Sequence, residues 1–453
     1  MASILSDFKY HFKGAVTQEG DPEYSIKRWA RNAERKAKFV VFPTDAQDVS
    51  RAILFARSQN LEIAIRGGGH STSGASSTEG GLVIDMSKHM NKVRIDPEYK
   101  RAYVQGGAIF ETLDRESIKH GLAGTAGTVN HTGFGGLTTG GGYGWLSGLH
   151  GLAVDNLVAA TVVTANGDIL KASDSENPDL FWGIRGGGVN FGPVTEFVFK
   201  LYDQRPDVFI STLVYPESLL PKVLDSVNDW LKVRHPRESA FLVYGLGPNA
   251  EPCVIFLFVF NGPEDEGREA IKNLVALGPI VNDGASVPYV EMNAMQNPRA
   301  YHGTNRLLKG ILVPNLEPAL MTRAWHGWKK IIAENPSASE TIMMLELYHP
   351  DKILSVPIDA MAFVARVTSY SLMVSLTWSD DSLDARALSH ELFRAIDVKG
   401  VGSYGNYDDV GAAIGGDRTR AMFGSNYDKL RIIKKKYDPE MVFHKWFPIT
   451  PAP

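Results

Sequence analysis

The chain of 453 residues contains a single cysteine, Cys253. That scarcity excludes an intrachain disulfide and any zinc or iron–sulfur site built on several thiolates. Long apolar runs are missing as well, none approaching the ~18 residues that read as a membrane-spanning helix. The first ten residues hold no continuous apolar stretch of the kind that directs secretion. Together these absences lead to the expectation of a cytoplasmic protein with no membrane partner. Neither sign of charge dominates, since 47 Lys and Arg stand against 51 Asp and Glu for a net charge of −4. Such a balance offers no electrostatic footprint for nucleic acid. Known fingerprints are absent too: no Gly-x-x-x-x-Gly-Lys-Ser/Thr, no Gly-x-Gly-x-x-Gly opening a helix after the first strand, no His-Glu-x-x-His and no Gly-x-Ser-x-Gly.

What is abundant is glycine, 44 of 453 residues and unevenly placed. Twelve of the 31 residues from Gly121 to Gly151 are glycine, whereas 203–245 has one. Four segments stand out, at 67–69, 133–144, 183–192 and 400–416. Glycine serves positive φ, close backbone approach to a ligand and amide nests for anions. Isolated pairs mark tight turns, but four clusters together could wrap a long ligand such as a dinucleotide. His70, directly after three glycines, could bring a neutral imidazole nitrogen against a ligand ring if the site is buried.

The pattern between these segments is mixed. Phe39–Phe42 reads as a buried strand stopped by Pro43, and Thr44 with Gln47 resembles a capping box opening a helix to about Ser58. Leu61–Ile65, Gly81–Asp85, Arg101–Val104 and Leu157–Thr164 read as further strands, with Asn166-Gly167 as a hairpin turn. From Asp207 to about Asp384 strands at Val254–Val259, Thr341–Tyr348 and Ser369–Trp378 alternate with helices at Leu219–Val233 and Glu317–Glu334. A last helix, Asn426–Lys436, carries Leu430, Ile432 and Ile433, with Lys434–Lys436 read as a solvated face. The length suggests two or three domains at about 150 residues each, and the fold class expected is α+β.

Val40-Val-Phe-Pro-Thr44, Arg66-Gly-Gly-Gly-His-Ser71, Gly81-Leu-Val-Ile-Asp85, Gly133-Phe-Gly-Gly-Leu-Thr-Thr-Gly-Gly-Gly-Tyr-Gly-Trp145, Asp179-Leu-Phe-Trp182 and Arg185-Gly-Gly-Gly-Val-Asn-Phe-Gly192 stand in a familiar order. They resemble the FAD-linked oxidoreductases of the vanillyl-alcohol oxidase superfamily, in the berberine-bridge-enzyme-like and hydroxynicotine-oxidase-like group. Tyr404-Gly-Asn-Tyr407 and Asn426-Tyr427 through Tyr437-Asp-Pro439 resemble that group's terminal motif. Across 206–400 little matches beyond Lys309 and the Phe363–Arg366 region.

The resemblance implies a PCMH-type FAD-binding domain made of both chain ends, 1–205 (core about 36–205) and 401–453. It places an α+β substrate domain with an antiparallel sheet at 206–400. It implies a covalent bond from His70 to the flavin. Many relatives add a cysteinyl bond, but Val129 stands at that position and Cys253 lies far along the chain, so a single link through His70 is expected. Cofactor contacts carried over by motif are Arg66, Gly67, Gly68, Gly69 and Ser71 beside His70. Thr128, Val129, Thr132, Gly135, Gly136, Thr139, Gly140, Gly141, Gly142 and Tyr143 follow in the long glycine loop. Gly192, Val194, Tyr404, Asn406 and Asn426 complete the set.

Tyr404 is expected near the reactive flavin nitrogen as the base, with Tyr143 and Tyr407 as partners, and Asp359 as an outside candidate. The resemblance implies that a residue in the loop before Gly135-Gly136 gates oxygen, a position that Thr132 matches, and its small side chain favours an oxidase. The leading expectation is an oxidase acting on an alcohol or amine of a small secondary-metabolite-like substrate, with O2 as partner and hydrogen peroxide as product. A dehydrogenase or oxidative cyclase using another acceptor is the second reading, and a non-enzymatic flavin-binding protein the third. No metal is expected.

Overall fold

Phe39–Phe42 is a strand buried along its whole length. In the computed structural model, which describes residues 2–408 and 416–453, the helix Ala46–Ser58 carries the chain from it to Ile63–Arg66. The two strands do not touch. Leu82–Asp85 inserts between them and pairs in parallel with both. The helix is capped by Asp45, whose carboxylate accepts from the Asp48 amide, and not by the expected Thr44–Gln47 box. The Thr44 hydroxyl instead donates to Asp48 at 2.9 Å. An ionised carboxylate is the stronger acceptor for helix-end amides, so Asp45 takes the cap.

A second sheet follows with the order Val93–Asp96, Arg101–Gln105, Val194–Lys200, Leu157–Val163, Ile169–Ser173, antiparallel throughout. Its last hairpin turns at Asn166-Gly167, where Gly167 has φ +82°.

The largest sheet has seven antiparallel strands. Their order is Val281–Pro288, Asp207–Pro216, Pro252–Phe260, Glu238–Leu246, Ile342–Leu347, Tyr370–Trp378, Asn305–Val313. Period-two alternation sends Ala240, Leu242 and Tyr244 to one face, beneath Leu220–Val233 and Pro318–Glu334 with Trp325 and Trp328. Phe241, Val243, Ile255, Met344 and Met373 go to the other face, beside Trp145 and Tyr404. Burial on both faces explains the nearly continuous apolar strands.

The C-terminal helix Tyr427–Tyr437 returns to the first half, where Leu430 and Ile433 pack with Leu180, Phe181 and Ile184. Two details depart from the expected basic face. Ile432 is exposed, and Lys434 is fully buried. Its ammonium donates to Asp438 at 2.6 Å and to the Asn190 and Phe443 carbonyls at 2.7 Å each. Three acceptors for three protons make burial of this charge tolerable. Lys434→Met would leave the buried Asp438 carboxylate without its counter-charge, held only by the Val442 and Phe443 amides, and the expected loss is about 3–5 kcal/mol in urea unfolding. Among the described residues no helix is long and apolar enough to cross a membrane.

Candidate active site

Arg66, at the end of its strand, is held by Asp85 on the paired strand. The chain then turns through Gly67–Gly69 and meets the second glycine loop backbone to backbone. A Cβ on Gly68 would lie 2.3 Å from the Gly133 nitrogen, and a Cβ on Gly133 equally close to the Gly68 nitrogen. No other residue permits that approach, which brings His70 beside His131 and Thr132. The His70 ring stacks on Trp29 with centroids 4.7 Å apart. Its Nε2 lies 2.8 Å from His131 Nδ1, and its Nδ1 lies 3.4 Å from Thr132 Oγ1. Burial, then the neighbouring His131 and His302, push the His70 pKa well below the ordinary value. Burial lowers His131 to about 4. Both rings are therefore neutral at neutral pH, and one donates to the other. His302 lies close enough that one nitrogen from each ring falls within 4.8 Å of the others. Three imidazoles so placed are a donor set that suits a transition-metal ion.

A cavity of about 280 Å³ runs from this cluster between the glycine loops. Gly67, Gly68, Gly69, His70, Ser71, Thr128, Val129, Thr132, Gly135, Gly136, Thr139, Gly140 and Tyr143 line it, with Gly192, Val194, Tyr404, Asn406 and Tyr407. At the far end come Phe443, His444, Lys445 and Trp446 from the chain terminus. Four carried-over residues are not among the lining. Arg66 is engaged with Asp85, and the Gly142 amide donates to Tyr404 Oη at 3.0 Å. Gly141 packs under the Phe363 ring. Asn426 points elsewhere, donating to the Ile358 and Met361 carbonyls at 2.9 and 2.8 Å. Part of the fourth glycine segment, 409–415, lies outside the described residues. Of the remaining expected positions, Asp359 is exposed and offers only its backbone carbonyl to Trp182. Cys253 is a free thiol buried in the large sheet, while Val129 faces the cleft.

The cleft fits a flavin dinucleotide by its own geometry. A Cβ on Gly136 would meet nothing within 4 Å, although the residue lines the cavity. Glycine there is demanded by no protein neighbour and leaves room for a ligand. Gly136→Val is accordingly expected to leave thermal stability of the flavin-free protein unchanged while flavin content falls severalfold. Absorbance at the flavin band against total protein reads this directly.

The three expected tyrosines converge. Tyr404 Oη accepts from the Gly142 amide and from Asn406 Nδ2 at 2.8 Å, and its ring meets Tyr143 and Tyr407 edge-on at 5.0 and 4.9 Å. Burial raises the Tyr404 pKa. Tyr143 stacks near Tyr348 and donates weakly to the Ala365 carbonyl. Tyr407 differs, because its hydroxyl donates to Glu346 Oε1 at 2.9 Å. Glu346 is only 1% exposed, and burial lifts its pKa to about 7 despite the Tyr407 bond. Sequence reasoning missed this carboxylate. Its signal was a glutamate on the cleft-facing parity of the otherwise apolar strand Ile342–Leu347. Trp29, His131 and His302 were also missed, since they are distant in sequence from one another and from His70.

A second cavity of about 360 Å³ lies across the large sheet and shares Trp29, Thr128, Val129, Leu308 and Tyr407 with the first. Tyr407 thus stands where the cofactor-shaped cleft opens into a separate chamber.

Comparison with known proteins agrees with this geometry. Residues 37–173 match the FAD binding domain family, and 403–449 match the berberine and berberine-like family. The chain is 33% identical to an FAD-linked oxidoreductase of Aspergillus terreus, over 99% of this chain and 96% of the relative. It is 32% identical to (R)-6-hydroxynicotine oxidase of Paenarthrobacter nicotinovorans, over 90% of this chain and 89% of that enzyme. Among solved structures, 6-hydroxy-D-nicotine oxidase from Arthrobacter nicotinovorans superposes with TM-score 0.85 at 27% identity, covering 97% and 98% of the two chains. The berberine-bridge-like protein 1 of Physcomitrella patens shares the fold with TM-score 0.87 at 22% identity, covering 99% of each chain. With a cleft shaped for a flavin and this likeness over nearly its whole length, the chain belongs to the berberine-bridge-like FAD-linked oxidoreductases and is an FAD-dependent enzyme.

Proposed function

We propose that the protein is an oxidase of a small alcohol or amine, with FAD bonded covalently through His70 alone. The observation that carries this reading is the hydrogen bond to Glu346 from Tyr407, which lines both cavities. FAD held between the glycine loops would supply the two-electron acceptor, and in an oxidase O2 would be the final one. The chain's own residues supply the proton chemistry. A tyrosine hydroxyl alone is a poor base near neutrality, with its ordinary pKa of about 10. Ionised Glu346 accepts the Tyr407 proton while Tyr407 Oη takes the proton from the substrate O–H or N–H. This reading takes Tyr407 as the base in place of Tyr404, because Glu346 is there to accept the Tyr407 proton. Tyr404 and Asn406 instead brace the loop Gly140–Gly142.

The His70–His131 bond leaves His70 Nδ1 as the ring nitrogen without a histidine partner. Thr132, small and in the cleft wall, leaves space for oxygen. In this reading 1–205 and 401–453 hold the flavin and 206–400 covers its substrate side. The test is oxygen consumption and peroxide release with a panel of alcohols and amines, run beside anaerobic mixing. Stoichiometric peroxide supports the oxidase. Anaerobic bleaching without oxygen uptake would make the protein a dehydrogenase or oxidative cyclase, and absence of bleaching with any compound would favour a non-enzymatic flavin protein.

A further inference from the structure

Arg306 lies at the start of the edge strand Asn305–Val313, directly opposite Thr377. It lines the second cavity yet is only 3% exposed. Its guanidinium sits 4.9 Å from the Trp29 ring and 5.1 Å from the Tyr301 ring. Nη1 donates to Thr377 Oγ1 at 3.2 Å and Nη2 to the Arg299 carbonyl at 2.9 Å, while Nε is buried without any acceptor. The nearby carboxylate, Glu340, is engaged by the Tyr301 hydroxyl and acts on Arg306 only through space. Of the other buried arginines of this half, Arg366 is ion-paired with Asp155, and Arg234 donates to the Leu231 and Tyr348 carbonyls, but neither lines this chamber.

A desolvated guanidinium normally has a carboxylate against it, because its lost hydration is otherwise uncompensated. Aromatic faces return only part of that. Two carbonyl or hydroxyl acceptors return a little more. The charge left over faces the chamber at whose other end stands Tyr407. Between them the wall is mostly apolar, with Leu308, Met344 and Met373 beside Ser375, and Glu340 lines the chamber along with Arg306.

We propose that the substrate carries a carboxylate, bound at Arg306, on an apolar body whose oxidisable carbon reaches Tyr407. This deepens the oxidase reading and rests on the second cavity as its substrate chamber. Arginine suits a planar carboxylate better than a point cation would, since it offers parallel N–H donors. A neutral isostere would leave the guanidinium as poorly compensated as it is in the free protein.

The experiment titrates the flavin-loaded protein with benzoate against benzamide and with phenylacetate against phenylacetamide. Binding is followed by flavin absorbance and, independently, by tryptophan fluorescence, which Trp29 in the chamber wall reports. The acids are expected to bind about tenfold to a hundredfold more tightly than the amides. In Arg306→Gln that preference should fall to about twofold or less, and Arg306→Lys should restore part of it. Equal binding of acid and amide by the wild type, failure of both to bind, or a preference that survives in Arg306→Gln would overturn the proposal. Should Arg306→Gln fail to fold, Thr377→Val, which frees one guanidinium donor, is expected to keep the acid preference. Its loss there would count against Arg306. Because the titration needs no turnover, a carboxylate preference in a protein that oxidises nothing would sink the oxidase reading and leave standing only the carboxylate site at Arg306.

Discussion

His70→Ala is expected to give a folded protein whose flavin, if bound, leaves entirely on acid precipitation. Wild-type protein should instead keep its yellow colour in the pellet. The expectation rests on the surroundings of the ring. Stacking on Trp29 and the 2.8 Å bond to His131 fix its plane, and burial keeps it unprotonated. A neutral, oriented imidazole is a competent nucleophile, whereas an imidazolium is not. The effect is all-or-none for the covalent fraction, so in-gel flavin fluorescence after denaturation measures it without any assay of turnover. Acid-stable flavin persisting in His70→Ala would place the bond elsewhere. Flavin extracted freely from the wild type would retain the fold and remove the covalent role of His70.

Glu346→Gln should lower kcat by about 10²–10⁴-fold, the range expected when a positioned base is removed. The flavin should stay attached, because Glu346 lies on the large sheet and not in the glycine loops. The pH dependence gives a second readout. A base must be ionised, and the Glu346 carboxyl is lifted by burial to about 7, so kcat should rise with pH through about 7 and then level. In Glu346→Gln that limb disappears. Stability moves in the opposite sense. Between the ordinary carboxyl range near pH 4 and about 7, the folded protein retains a proton that the unfolded chain has lost. Raising pH through this window therefore costs stability in the wild type, and the variant should lose that slope. Tyr407→Phe removes the bond that favours the ionised form, so its residual activity should show the limb displaced upward. An unshifted limb, or a wild-type limb surviving in Glu346→Gln, would assign the base to another group.

Much of this site was legible before any coordinates, and the reason is local. His70, Thr132 and the glycines at 67–69 and 133–140 act through backbone contacts that leave a compressed signature within a dozen residues. The strands were legible for the same reason, since alternation and double-sided burial are written in consecutive residues. What escaped was assembled from afar. His131 and His302 become partners of His70 only because a glycine contact and a sheet edge bring them together. Glu346 carries no motif. Its meaning comes from the parity of its strand and from Tyr407, 61 residues away. Lys434 misled for a related reason: a run of three lysines reads as solvated, and only the fold supplies the Asp438, Asn190 and Phe443 acceptors that bury the first of them.

The terminal residues Phe443–Trp446 form one end of the cleft whose opposite walls are laid down from residue 67 onward. They are tied to the N-terminal half through Lys445 and His444 to Glu62, and through Lys434 to Asn190. Contacts of such sequence separation close long loops, at an entropic cost that grows only slowly with loop length. The cleft is complete only when both parts of the chain are in place. A change in Phe443–Trp446 therefore bears on the same cleft as a change in the glycine loops, although the two lie far apart along the chain.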